Sequence, residues 1–168
     1  MKRFAVLAAV LAVFSAAMAF AGVQDFGKYT VDVPEGWTAT QDGETVGIVK
    51  NDNTASVSIS YDSLDGASLK EIADAFVEAL NGKGLKDEGG TYTFSMTNAN
   101  GVESKCYLSG DDKNYALIVV TGGENAPDDV MAMMNSLKEK LTAKHSEFFG
   151  EFWRDSGLSI FVYGGMNL

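Results

Sequence analysis

The chain has one cysteine, one histidine and few basic side chains, and each shortage excludes a class of function. With Cys106 alone, no disulfide can form inside the chain, so the fold must rest on its apolar core. A zinc site needs several Cys or His ligands, and Cys106 with His145 supplies one of each. A nucleophile needs an adjacent base and an orienting group, and no Gly-x-Ser-x-Gly elbow is present. Basic residues number 13 against 23 acidic, for a net charge of −10. Binding of nucleic acid or anionic lipid rests on Lys and Arg meeting phosphate, so this balance argues against both. Lys138, Lys140 and Lys144 form the one basic cluster visible in the sequence. They are expected in a last helical turn, where cations offset the helix dipole.

Beyond the first residues no apolar run is long enough to span a bilayer. Met1-Lys2-Arg3 is followed by the unbroken apolar run Phe4 to Phe14. Ala17-Met18-Ala19 and Ala19-Phe20-Ala21 both fit a small-x-small cleavage site. Residues 1–21 therefore read as a secretory signal peptide, the apolar run being too short for the competing membrane anchor. Export to the periplasm or outside the cell is expected. Loss of Lys2 and Arg3 would leave 11 basic against 23 acidic side chains, a net charge of −12. Residues 22–144 are then one α/β domain, and residues 145–168 an aromatic-rich C-terminal extension.

Strict alternation marks the strands. Tyr29, Val31 and Val33 take one face against Lys28, Thr30 and Asp32, until Pro34-Glu35-Gly36 stops the strand. Val46 and Ile48 suggest a second strand. Ala55, Val57, Ile59 and Tyr61 alternate with Ser56, Ser58 and Ser60. Ser68-Leu69-Lys70-Glu71 reads as a capping box opening a helix with Leu69, Ile72, Ala73, Phe76 and Leu80 on one face; Gly82 and Gly84 end it. Tyr92, Phe94 and Met96 alternate next. A hairpin turn at Asn98–Gly101 leads to a strand from Val102 to Leu108 with Val102, Ser104, Cys106 and Leu108 inward. Tyr115 to Val120 is apolar on both sides, as a central strand should be. Asn125 is expected to cap a second helix burying Val130, Met134, Leu137 and Leu141, with Pro127, Asp128 and Asp129 in its first turn. Met131, Met133 and Met134 read as core filler on it rather than a metal site. The order implies an α+β fold: an antiparallel sheet flanked by helices, in α/β/α layers.

The run Tyr29-Thr30-Val31-Asp32-Val33-Pro34-Glu35-Gly36-Trp37 resembles the opening strand of the PsbP-like family and its bacterial DcrB-like relatives. The end resembles them too: an apolar strand, Thr121-Gly122-Gly123, and a helix closing on Met134-Asn135-Ser136-Leu137-Lys138. The similarity covers residues 26–141. It implies an antiparallel sheet between helices, a fold shared with a nuclear import factor that binds a small GTPase. It also implies an exported accessory protein, as with the photosystem's oxygen-evolving subunit. The family has no catalytic signature to carry over, so the expectation is a non-enzymatic protein without cofactor.

Three acidic clusters merit a calcium reading: Asn51-Asp52-Asn53, Asp111-Asp112-Asn114 and Glu124-Asn125 with Asp128-Asp129. None has the EF-hand spacing, and turns and caps already want those residues. A small-ligand or calcium-binding periplasmic protein is the alternative function. Gly122-Gly123 before a helix could cradle phosphate, but the carboxylates beside it favour a tight turn. The sharpest candidate surface is the extension. Phe148 and Phe152 are four apart, as are Phe149 and Trp153, and Phe161 and Tyr163 follow in an apolar run. Such a segment folds onto its own domain, anchors an envelope protein partner or homodimer, or meets a membrane surface. Glu147, Glu151 and Asp155 weaken the membrane reading.

Overall fold

A computed structural model describes residues 21–98 and 101–139. Ten strands and two helices alternate along them. The strands are β1 (Gly22–Asp25), β2 (Tyr29–Val33), β3 (Trp37–Asp42), β4 (Thr45–Lys50), β5 (Ser56–Ser63), β6 (Lys83–Asp87), β7 (Tyr92–Thr97), β8 (Glu103–Gly110), β9 (Asn114–Thr121) and β10 (Lys138–Glu139). The helix α1 (Leu69–Ala79) follows β5, and α2 (Pro127–Ser136) follows β9 after a 3-10 turn at Gly123–Asn125. Seven strands make one sheet in the order β3-β4-β5-β9-β8-β7-β6, and β1-β2-β10 make a second. Every pairing is antiparallel. The α+β class expected from the sequence is therefore the one observed.

Strand β9 is the axis of the arrangement. Its alternate residues feed two cores on opposite faces, which is why Tyr115–Val120 is apolar on both sides. Ala116, Ile118 and Val120 join Trp37, Ile48, Val57 and Ile59 in the first core, closed over by Val31 and Val33 of β2 and by Val130, Met133 and Met134 of α2. Leu117 joins Phe94, Cys106 and Leu108 in the second, closed by Ala73 and Phe76 of α1.

Helix α1 starts where its sequence says. The Ser68 hydroxyl accepts from the Glu71 amide, and the Glu71 carboxylate accepts from the Ser68 amide at 2.8 Å, so two end donors are satisfied reciprocally. The second helix starts differently. Its cap residue is Ala126, with no side-chain cap, because Asn125 lies in the preceding 3-10 turn, where its side-chain amide donates to the Thr54 carbonyl at 3.0 Å. It also ends earlier, at Ser136. Leu137 turns extended, and Lys138 pairs with Thr30 in β10 rather than sitting in a last helical turn. Lys140, Leu141 and Lys144 lie outside the described residues. So do the candidate signal peptide through Phe20 and the extension that carries Phe148, Phe149, Phe152, Trp153, Phe161 and Tyr163. No helix among the described residues is long and apolar enough to cross a membrane.

Two further expectations need correction. Val102 precedes β8 and is 42% exposed, while Ser104, Cys106 and Leu108 do face inward. Residues Lys83–Asp87, around the glycine expected only to stop a helix, form the edge strand β6, where a bulge between Lys83 and Lys86 breaks the alternation that marks a strand.

Candidate interaction surface

Trp37 and Gly122, from the two ends of the resemblance, each make a long-range contact. Trp37 is 2% exposed, and its indole N–H donates to the Asp129 carboxylate of α2 at 2.8 Å. A buried indole needs a partner for that N–H, and a charged acceptor makes the stronger bond. Gly122 holds the opposite end. Its φ is +62°, and a Cβ there would sit 2.1 Å from the Thr54 carbonyl oxygen. Gly122-Gly123 is thus a tight turn against the β4–β5 loop, and Asp129 at that helix end is already engaged.

The other candidates for chemistry are similarly occupied. Cys106 is fully buried, and burial pushes its thiol up to about 12, far from a thiolate at neutral pH. His145 lies outside the described residues. The Asp52 carboxylate accepts from Lys50, and from the Thr54 hydroxyl at 2.6 Å and amide at 3.0 Å. These bonds, led by that from Lys50, hold it well below the ordinary carboxylate range. Asp111 accepts from the amides of Lys113 and Asn114, each at 2.7 Å. These loops use their acidic side chains to close turns. Among the described residues no three Cys, His, Asp or Glu side chains gather as a metal site would need.

The sheet itself leaves surface open. The β2–α2 layer covers one face over β3, β4, β5 and β9; α1 covers the other face over β7, β8 and β9. Two quarters remain. Opposite the first core, β3–β5 present hydroxyls: Thr38, Thr40, Thr45, Ser56, Ser58 and Ser60, all half-buried. Thr45 and Ser60 hydrogen-bond across the strands at 2.9 Å.

Opposite the second core, β6–β8 present lysines. Lys83 pairs with Ser95, and Ser95 with Lys105, so these three share one row and one face. Lys105 in turn pairs with Val120, whose side chain belongs to the first core, which fixes the face as the one that α1 does not cover. Lys86 pairs with Thr93, and Thr93 with Tyr107, in the neighbouring row on that face. Lys83, Lys86 and Lys105 are exposed and Tyr107 is half-buried against the first core. Described ion pairs join Lys28 to Glu44, Lys50 to Asp52 and Lys70 to Asp74, but none joins these three lysines to a carboxylate. Glu103 lies on the margin, opposite Thr97. Glu88 reaches Tyr107 electrostatically; burial first, then that carboxylate, raises the phenol's pKa. Sequence reading found no basic cluster here, because Lys83 and Lys105 are far apart in the chain and only strand pairing joins them.

No family model matches the chain, and no curated protein matches it.

Proposed function

We propose that the protein is an exported accessory protein of the PsbP-like type, without catalytic activity of its own, acting through protein contacts in the periplasm. The observation that carries this reading is the density of aromatic side chains in residues 148–163. The buried described residues of both cores fall within 29–137. Phe148, Phe149, Phe152, Trp153, Phe161 and Tyr163 lie outside the described residues, and aromatic side chains in such number anchor protein interfaces. The employment of Cys106 in packing, and of the acidic loops in turn closure, supports a non-enzymatic and calcium-independent role. The alternating strand into Trp37, its bond to Asp129 and the Gly122 turn support the PsbP-like sandwich.

The test uses the mature chain as bait in envelope extracts, beside Phe149→Ala/Trp153→Ala. Loss of the same captured proteins from the double variant is expected. Unchanged capture, or an intact chain that retains residues 1–21 in the cytoplasm, refutes the reading.

A further inference from the structure

We propose that the lysine face of β6–β8 is a docking surface for a short acidic segment of a partner protein, one that carries two or three neighbouring carboxylates. The proposal rests on the reading of this chain as a contact protein and adds a second surface, with the chemistry of what it takes.

The face is a trough with a hydroxyl floor. Ser95 of β7 pairs with Lys83 on one side and Lys105 on the other, so each lysine root stands about 5 Å from it. Lys86 stands likewise beside Thr93, about 7 Å further along β7. Thr93 and Ser95 are short and half-buried, while the three lysines around them are exposed. Flexible four-carbon stems let the ammonium groups converge over that floor, and the two hydroxyls can donate to the same oxygens. Alternate side chains of an extended peptide are also about 7 Å apart, so two of its carboxylates match the two rows.

Protection of a sheet edge explains only part of this charge. Lysines and a bulge blunt exposed edges, which accounts for Lys83 and Lys86 on β6. Lys105 is on β8, paired on both sides by β7 and β9, where no edge needs blunting. Among the described residues no carboxylate pairs with any of the three. The bulge also interrupts the β6 ladder, so recognition runs through side chains rather than through an added strand.

The surroundings set the size of the occupant. Glu103, opposite Thr97, bounds the basic window at one end. Glu88, whose amide donates to the Thr91 carbonyl, bounds it at the other. The chain as a whole carries a net charge of −10. A membrane or a nucleic acid presents anions across a wide surface and would meet those carboxylates as well; a short segment meets the lysines alone. Ion pairs on an exposed face are individually weak, so docking depends on their number, and salt loosens it.

Fluorescence anisotropy on the full mature chain tests this with two labelled peptides: three successive glutamates between Gly-Ser flanks, and the glutamine counterpart. The glutamate peptide should bind, with an affinity that falls several-fold between roughly 50 mM and 500 mM salt. Lys83→Glu/Lys105→Glu should abolish that binding, while Lys70→Glu/Lys113→Glu, an equal change of charge elsewhere, should leave it. Thermal melts check that each variant is folded; if the first melts early, Lys105→Gln alone takes its place and should weaken binding several-fold. Equal binding of the glutamine peptide, equal loss in the charge-matched control, or no binding at low salt overturns the proposal. So does tighter binding to phosphatidylglycerol vesicles than to the glutamate peptide, which would make anionic lipid the occupant. Self-association that Lys83→Glu/Lys105→Glu abolishes would make it a second copy, and overturns the proposal too. Because this readout depends on Lys83 and Lys105 and envelope capture depends on Phe149 and Trp153, either idea can fail while the other stands.

Discussion

The two cores differ in how they are closed. The first gathers side chains from β2, β3, β4, β5, β9 and α2, and Val31, Val33, Val46, Ile48, Val57 and Met133 are fully buried there. Among the described residues the second is closed by one helix, α1. Around its buried centre runs a rim of partly buried side chains that includes Leu69, Ile72, Leu80, Leu85, Met96 and Tyr115. A core closed by segments from the whole chain can open only with the whole fold; one closed by a single helix can open alone. The first should therefore carry the stability and the second the local motion.

The largest expected effect comes from Trp37→Ala. It empties the first core and leaves the Asp129 carboxylate without its donor, for a loss of about 3–5 kcal/mol in denaturant unfolding. Phe76→Ala, in the second core, should cost less, because the rim can settle into the gap. Equal losses would erase the distinction.

Gly122→Ala comes next, at about 1–3 kcal/mol, since both its φ and the Thr54 carbonyl oppose a side chain. The contrast between the cores is sharpened by labelling Cys106. The native thiol should resist reagents at neutral pH, and labelling under native conditions should outpace global unfolding if α1 lifts alone. Labelling no faster than global unfolding would make the two cores one cooperative unit.

The smallest effect is Ser68→Ala, about 1 kcal/mol from the lost cap. Hydrogen bonds from Ser68, first its amide and then its hydroxyl, lower the Glu71 pKa from its ordinary value. That contribution is present above the ordinary carboxylate pKa and fades as pH falls through the folded-state value. The amide bond survives the substitution and only the hydroxyl's share is lost, so the gap between variant and parent should narrow slightly in acid melts; a constant gap would mean that the hydroxyl's bond to Glu71 adds nothing.

Where local rules and tertiary structure agreed, the sequence was legible. Alternation gave β2, β5, β7 and β9, and the Ser68–Glu71 spacing gave α1. Edges were illegible: β1 pairs along one side only, β6 carries a bulge, and β10 is two residues long. Asn125 is a good cap residue that falls one position short, in the 3-10 turn before α2, where it bonds the Thr54 carbonyl across 71 positions of chain. The lysine face was hidden for the same reason, since pairing rather than sequence proximity assembles it.

The pairing of Asp32 with Ser136 has a consequence for the order of events at birth. The Asp32 amide donates to the Ser136 hydroxyl at 2.8 Å across 104 positions. Strands β2, β3, β4 and β5 are made well before helix α2. Val31 and Val33 can meet Trp37, Ile48 and Val57 early, but the Asp32 amide has no Ser136 to bond until α2 has been made. The first core therefore stays open on its α2 side while most of the described chain is synthesised, a window in which a chaperone can hold it.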